Sequence, residues 1–191
     1  MEIYKKLDKI LPKLLDGSFR ESKGLGNEIG YYIFDYDPKH EMVVRNHIKF
    51  LKEKVKNDGS GVEIIEFDLY EVMLEILEEK GYLEKTFDME KKKGSDKVIM
   101  PIKRSLRLTQ KNDLLIDYIK TRVEKNHIVF LTGVGKAWPI IRSHTVLNTL
   151  HAVIDQVPLV MFFPGTYDGQ ELQLFNEIKD DNYYRAFKLV D

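Results

Sequence analysis

The residue types most suited to chemistry cluster in the string TGVGKAWP, where Thr132 offers a hydroxyl and Lys136 a neutralising charge. Gly133 and Gly135 would let backbone amides approach a phosphate closely. The string is incomplete as a phosphate loop. A GxxxxGK[ST] loop needs glycine where Phe130 stands and a hydroxyl residue where Ala137 stands, so both the wide cradle and the magnesium-binding oxygen are missing. A dinucleotide fingerprint needs a third glycine where this chain has Trp138. A tight turn that positions Trp138 and Pro139 explains the same residues.

A second group is acidic. Asp35, Asp37, Asp68 and Asp168 follow apolar runs, and oxygen ligands at adjacent strand ends can share one magnesium ion. Helix capping accounts for two of them: Asp37 precedes Pro38, and Asp68 stands three residues before Glu71, the spacing of a capping box. The histidines include no HExxH pair, and Ser143, between Arg142 and His144, sits where a hydroxyl caps a helix more often than it attacks a carbonyl. With no cysteine, thiolate nucleophiles, thiolate metal sites and disulfides are excluded. No resident cofactor or metal is expected.

The third group is basic. Residues 91–111 hold eight lysines and arginines against one acid, Asp96. Lys91, Lys92 and Lys93 open the run, and Lys103, Arg104 and Arg107 follow. Such charge suits DNA phosphates or an acidic protein partner equally, and the run also reads as an insertion or flexible segment. The chain as a whole is balanced at a formal charge of -1, so nucleic-acid affinity would have to come from this local patch.

The elements that must position these groups alternate. Apolar β-rich runs at 31–34, 62–67, 127–131, 159–163 and 183–190 read as five strands. Between them lie helical patterns: Val44, Ile48, Leu51 and Val55 share one face of a helix ending near Lys56, and Met73, Ile76 and Leu77 share a face of the next. Further helices are predicted at 114–124, begun as early as Ser105, at 144–151, and briefly at 172–178. An amphipathic helix opens the chain, with Pro12 a kink and Gly17 a stop. Strands joined by helical crossovers pair in parallel, so one α/β domain is expected, with a mostly parallel sheet of about five strands and helices on both faces. The sequence has 43% hydrophobic residues, enough for a core, but neither a bilayer-spanning run nor the apolar block of a signal peptide, so a cytoplasmic location is expected.

The strings GLGNEIGYYIFDYDP, FLTGVGKAWPIIRSHTVLN, PLVMFFPGTYDGQELQLF and DDNYYRAFKLV, in this order, closely resemble the BrxB family of BREX bacteriophage-exclusion systems, from about Tyr4 to Val190. The resemblance implies a small component encoded beside a large ATPase, a DNA adenine methyltransferase and PglZ, a protein with an alkaline-phosphatase-like domain. It implies an accessory or assembly role rather than an enzyme, with PglZ the first partner, other BREX components further candidates and DNA a weak or indirect one. It transfers no catalytic residues. A fainter likeness, at fold level alone, is to a RecA-type ATPase sheet without its phosphate loop. Two alternatives stay open: a nucleotide-sensing or nucleotide-hydrolysing protein using the strand-end loops, and a DNA-binding module using the basic segment.

Overall fold

A computed structural model of the chain describes residues 2–20, 30–180 and 186–191, without the side chains of Arg20 and Asp180. Three short helices open it: α1 (Glu2–Asp8), α2 (Ile10–Leu15) and α3 (Gly17–Arg20). The single opening helix expected is therefore broken, and the break falls at Lys9, which leaves Pro12 in the first turns of α2, where its missing N–H has no partner to lose. Strand β1 (Tyr31–Tyr36) leads through a 3-10 turn into α4 (Glu41–Lys56), then β2 (Glu63–Asp68) and α5 (Leu69–Glu79). The middle of the chain is helical, with α6 (Leu83–Lys93), α7 (Asp96–Ser105) and α8 (Leu114–Lys120) preceding β3 (His127–Thr132). There follow α9 (Val134–Ala137), α10 (Ser143–His151), β4 (Leu159–Tyr167), β5 (Leu172–Leu174), β6 (Ile178–Asp180) and β7 (Phe187–Lys188).

The main sheet has the order β2-β3-β4-β1-β7, and every pair in it is parallel. Strands β1, β3 and β4 are buried on both faces, which is why they read as apolar runs rather than as alternations, whereas β2 is only partly buried and β7 is exposed. Ile128, Phe130, Val160 and Phe162 point to the face covered by α1, α2 and α4. Their neighbours Val129, Leu131, Met161 and Phe163 point to the face covered by α5, α7, α8 and α10. The stripe Val44, Ile48, Leu51 and Val55 of α4 is buried as its spacing requires, and burial of each such side chain contributes about 1.5–3 kcal/mol. Residues 91–111 end α6 and form α7, which buries Val98 and Ile102 against the core.

Several expected boundaries move. The 172–178 pattern is not helical: β5 and β6 form an antiparallel hairpin that extends the sheet to seven strands. At its turn Phe175 and Asn176 both have positive φ, and the Glu177 N–H donates to the Leu174 carbonyl at 3.1 Å. Pro164 to Tyr167, expected in a loop, continue β4 because β5 pairs with them. Helix α8 ends at Lys120 and starts no earlier than Leu114, since buried Asp113 caps it by accepting from the Leu115 and Ile116 N–H groups. Of the expected last strand, Phe187–Lys188 pairs with β1, and residues 183–185 lie outside the described residues, as does the glycine-rich segment 21–29.

Candidate functional site

Beyond the carboxyl ends of β1 to β4, where open parallel sheets bind ligands, lies a crevice of about 120 Å³ lined by Tyr36, Glu41, Arg45, Glu66, Thr132 and Gly133. Two carboxylates there use both oxygens. Glu41 accepts from the Tyr36 hydroxyl through one oxygen and pairs with Arg45 Nε at 2.7 Å through the other. Glu66 accepts from Thr132 Oγ1 at 3.0 Å and pairs with Lys52 Nζ at 2.9 Å. Burial, reinforced by the bond to Glu41, pushes the Tyr36 hydroxyl far above its ordinary pKa, so it stays a proton donor. The bond to Glu41 likewise raises Arg45.

The expected site residues, of which Asp68, Thr132 and Gly133 line this crevice, form structural contacts. Asp68 caps α5, its Oδ1 accepting from Tyr70 N at 3.1 Å and Glu71 N at 3.3 Å. Its Oδ2 pairs with Lys136 Nζ at 2.7 Å, and Lys136 also reaches Glu71 Oε1 at 3.0 Å. Burial pulls the Lys136 pKa down, but its bonds to the two carboxylates outweigh that and hold it above the usual lysine value. The capping box is thus half formed: Asp68 caps, while Glu71 turns to the lysine. Gly133, in the left-handed region at φ 69°, carries no Cβ because one would lie 2.1 Å from Asp68 Oδ1. At Gly135 a Cβ would meet the Phe175 ring at 2.8 Å, so this glycine seats the β5–β6 turn.

The remaining aspartates diverge. Buried Asp35 points to α1, with Oδ1 2.6 Å from Lys6 Nζ and Oδ2 accepting from Tyr167 N at 3.1 Å. Asp37 caps the 3-10 turn through Lys39 N at 3.1 Å. Asp168 folds the 168–171 turn by accepting from Gln170 N at 2.8 Å and Glu171 N at 2.7 Å, and these bonds hold its carboxyl below the usual range. Among the described residues no group of three or more His, Asp or Glu side chains could hold a metal ion. Ser143 is buried as the first residue of α10, and the cap position belongs to Arg142, which makes no side-chain cap bond.

Sequence reasoning missed Glu41, Arg45 and Glu66. The i,i+4 spacing of Glu41 and Arg45 was a visible signal; Glu66 had only its charge within an apolar strand. It also missed a hollow of about 360 Å³ between α7, the start of α8 and residues 140–146. There Lys103 and Arg104 from the basic run meet Arg142 from the start of α10. Burial and the nearby Arg142 charge lower the Lys103 pKa. Lys91, Lys92 and Lys93 end α6 on an exposed face instead.

Fold and site together define a parallel α/β protein whose strand-end charges are neutralised within the chain. The family described as BREX protein BrxB matches residues 65–189. A BREX protein BrxB of Bacillus cereus (strain H3081.97) is 69% identical over 189 residues, covering 99% of this chain and 98% of the relative. Another, of Escherichia coli O9:H4 (strain HS), is 33% identical over 187 residues, covering 97% and 90%. The chain belongs to the BrxB family of BREX proteins. No solved structure matches it. Among the described residues no helix is long and apolar enough to cross a membrane.

Proposed function

We propose that this protein is a non-catalytic subunit of a BREX phage-defence assembly and works in the cytoplasm by binding another protein of that system, a PglZ-type protein first. Family membership supports the setting. The observation that carries the non-catalytic reading is the occupation of the strand-end groups: Asp35, Glu41, Glu66 and Asp68 each hold a lysine, an arginine or a backbone amide of the same chain. A phosphate at Lys136 would have to displace two carboxylates already at contact distance. Catalytic groups need a free proton or an open coordination position, and these side chains are committed to the fold.

Co-expression of the tagged chain with its BREX neighbours tests the binding role. A PglZ-type protein is expected to co-purify and to shift the complex mass. Purification of the chain alone from cells that contain every neighbour would contradict the proposal.

A further inference from the structure

The large hollow is the centre of a longer groove. Arg142 lines both it and a smaller hollow of about 90 Å³ beside Trp138, Ser143 and Lys179. Arg104 lines both it and a further hollow beside Lys80, Tyr82 and Arg107. The three hollows therefore adjoin through shared arginine side chains, with Trp138 in one outer hollow and Tyr82 in the other, 40% and 42% exposed. Six cations line them: Lys80, Lys103, Arg104, Arg107, Arg142 and Lys179. None of the six has an ion-pair partner among the described residues.

Among the described residues the one acid in the lining is Asp113. Its carboxylate is buried and already accepts three backbone N–H groups, from Thr109, Leu115 and Ile116, so it neutralises none of the cations. The floor of the central hollow is aliphatic, with Leu108, Leu115, Ile116, Ile140, Ile141 and Val146. An occupant must therefore bring several negative charges in a row and an apolar group between them. A nucleic-acid strand supplies the charges, and Trp138 and Tyr82 in the outer hollows or Thr109, Gln110 and Thr145 in the central hollow suit its bases, but it brings no aliphatic side chain for the floor. An acidic peptide with an aliphatic or aromatic side chain satisfies both demands.

We infer that this groove takes an acidic, apolar-anchored segment of a protein partner, whose carboxylates meet Lys103, Arg104 and Arg142 and whose anchor fills the hollow above Ile116 and Ile141. The inference rests on the partner-binding reading and gives it a place on the surface. The probe is a labelled peptide of about twelve glutamates and leucines, the length of a typical linear motif, read by fluorescence polarisation on the full chain. Binding is expected to weaken on the order of tenfold in the double variant Lys103→Glu, Arg142→Glu. It should stay unchanged in Lys91→Glu, Lys92→Glu, which makes the same charge change outside the groove. An all-glutamate peptide, lacking anchors, should bind more weakly than the mixed one.

Equal melting temperatures of the two double variants would show that both are folded. No binding of the mixed peptide, equal binding to the groove variant, or tighter binding of a thymidine oligonucleotide would overturn the inference. Capture of the BREX neighbours separates it from the proposal above: if wild type and groove variant both capture a neighbour, the groove assignment fails and the binding role stands. If wild type captures none, the binding role itself fails.

Discussion

The carboxyl ends of the sheet and the groove beside α7 handle charge in opposite ways. At the strand ends, each of Asp35, Glu41, Glu66 and Asp68 lies within 2.9 Å of a lysine or arginine. In the groove, Lys103, Arg104 and Arg142 share one space and form no ion pair among the described residues. Closed charge holds loops and helices in place; open charge of one sign costs stability and persists where something else binds. In our proposal the position favoured for ligands in such a fold serves architecture, and recognition falls to the helical surface between α5 and α8.

The comparison is broken or sharpened by substitution. The largest effect is expected at Gly133→Ala, where a side chain at positive φ would strike Asp68: a loss of about 3 kcal/mol in urea unfolding. Asp35→Ala follows, at about 2 kcal/mol, because it removes the carboxylate that pairs with Lys6 and accepts from the Tyr167 N–H in a largely buried place. Lys103→Glu with Arg142→Glu should change stability by no more than about 0.5 kcal/mol, since no ion pair within the chain is lost. A large loss there would show that these cations serve the fold after all.

Stability should rise with pH through both groups, in acid through Asp168 and in alkali through Lys103. Asp168 has a depressed carboxyl pKa in the fold, so its contribution is complete above its ordinary value of 3.8 and is lost as pH falls through the depressed value. Melting curves in acid should therefore fall less steeply for Asp168→Asn than for wild type. Lys103 has a depressed ammonium pKa, so the unfolded chain binds more protons between the folded value and 10.5, and stability rises with pH across that window. That rise should be smaller in Lys103→Met. Both effects are small, because Asp168 is exposed and Lys103 only partly buried.

Much of the architecture was legible because β1, β3 and β4 are covered on both faces, which demands apolar runs, and because Asp37 and Asp68 cap at sequence-local spacing. The hairpin was misread since Leu174 and Ile178 stand four apart, a helical spacing, and its turn uses Phe175 and Asn176 at positive φ without a glycine to announce it. The closed pairs joined residues far apart in the chain, such as Lys6 with Asp35 and Asp68 with Lys136, and only the folded sheet brings them together. For the same reason the basic run showed three of the groove cations, whereas Arg142 came from a helix start read for its serine.

The central claim is that Lys136 and its neighbours are committed to the fold. Its most direct test is the melting temperature of the purified chain with and without magnesium and ATP, where a ligand at 100 times its dissociation constant would add about 2.7 kcal/mol. The account predicts no shift for wild type. A rise of several degrees that disappears in Lys136→Ala would contradict it.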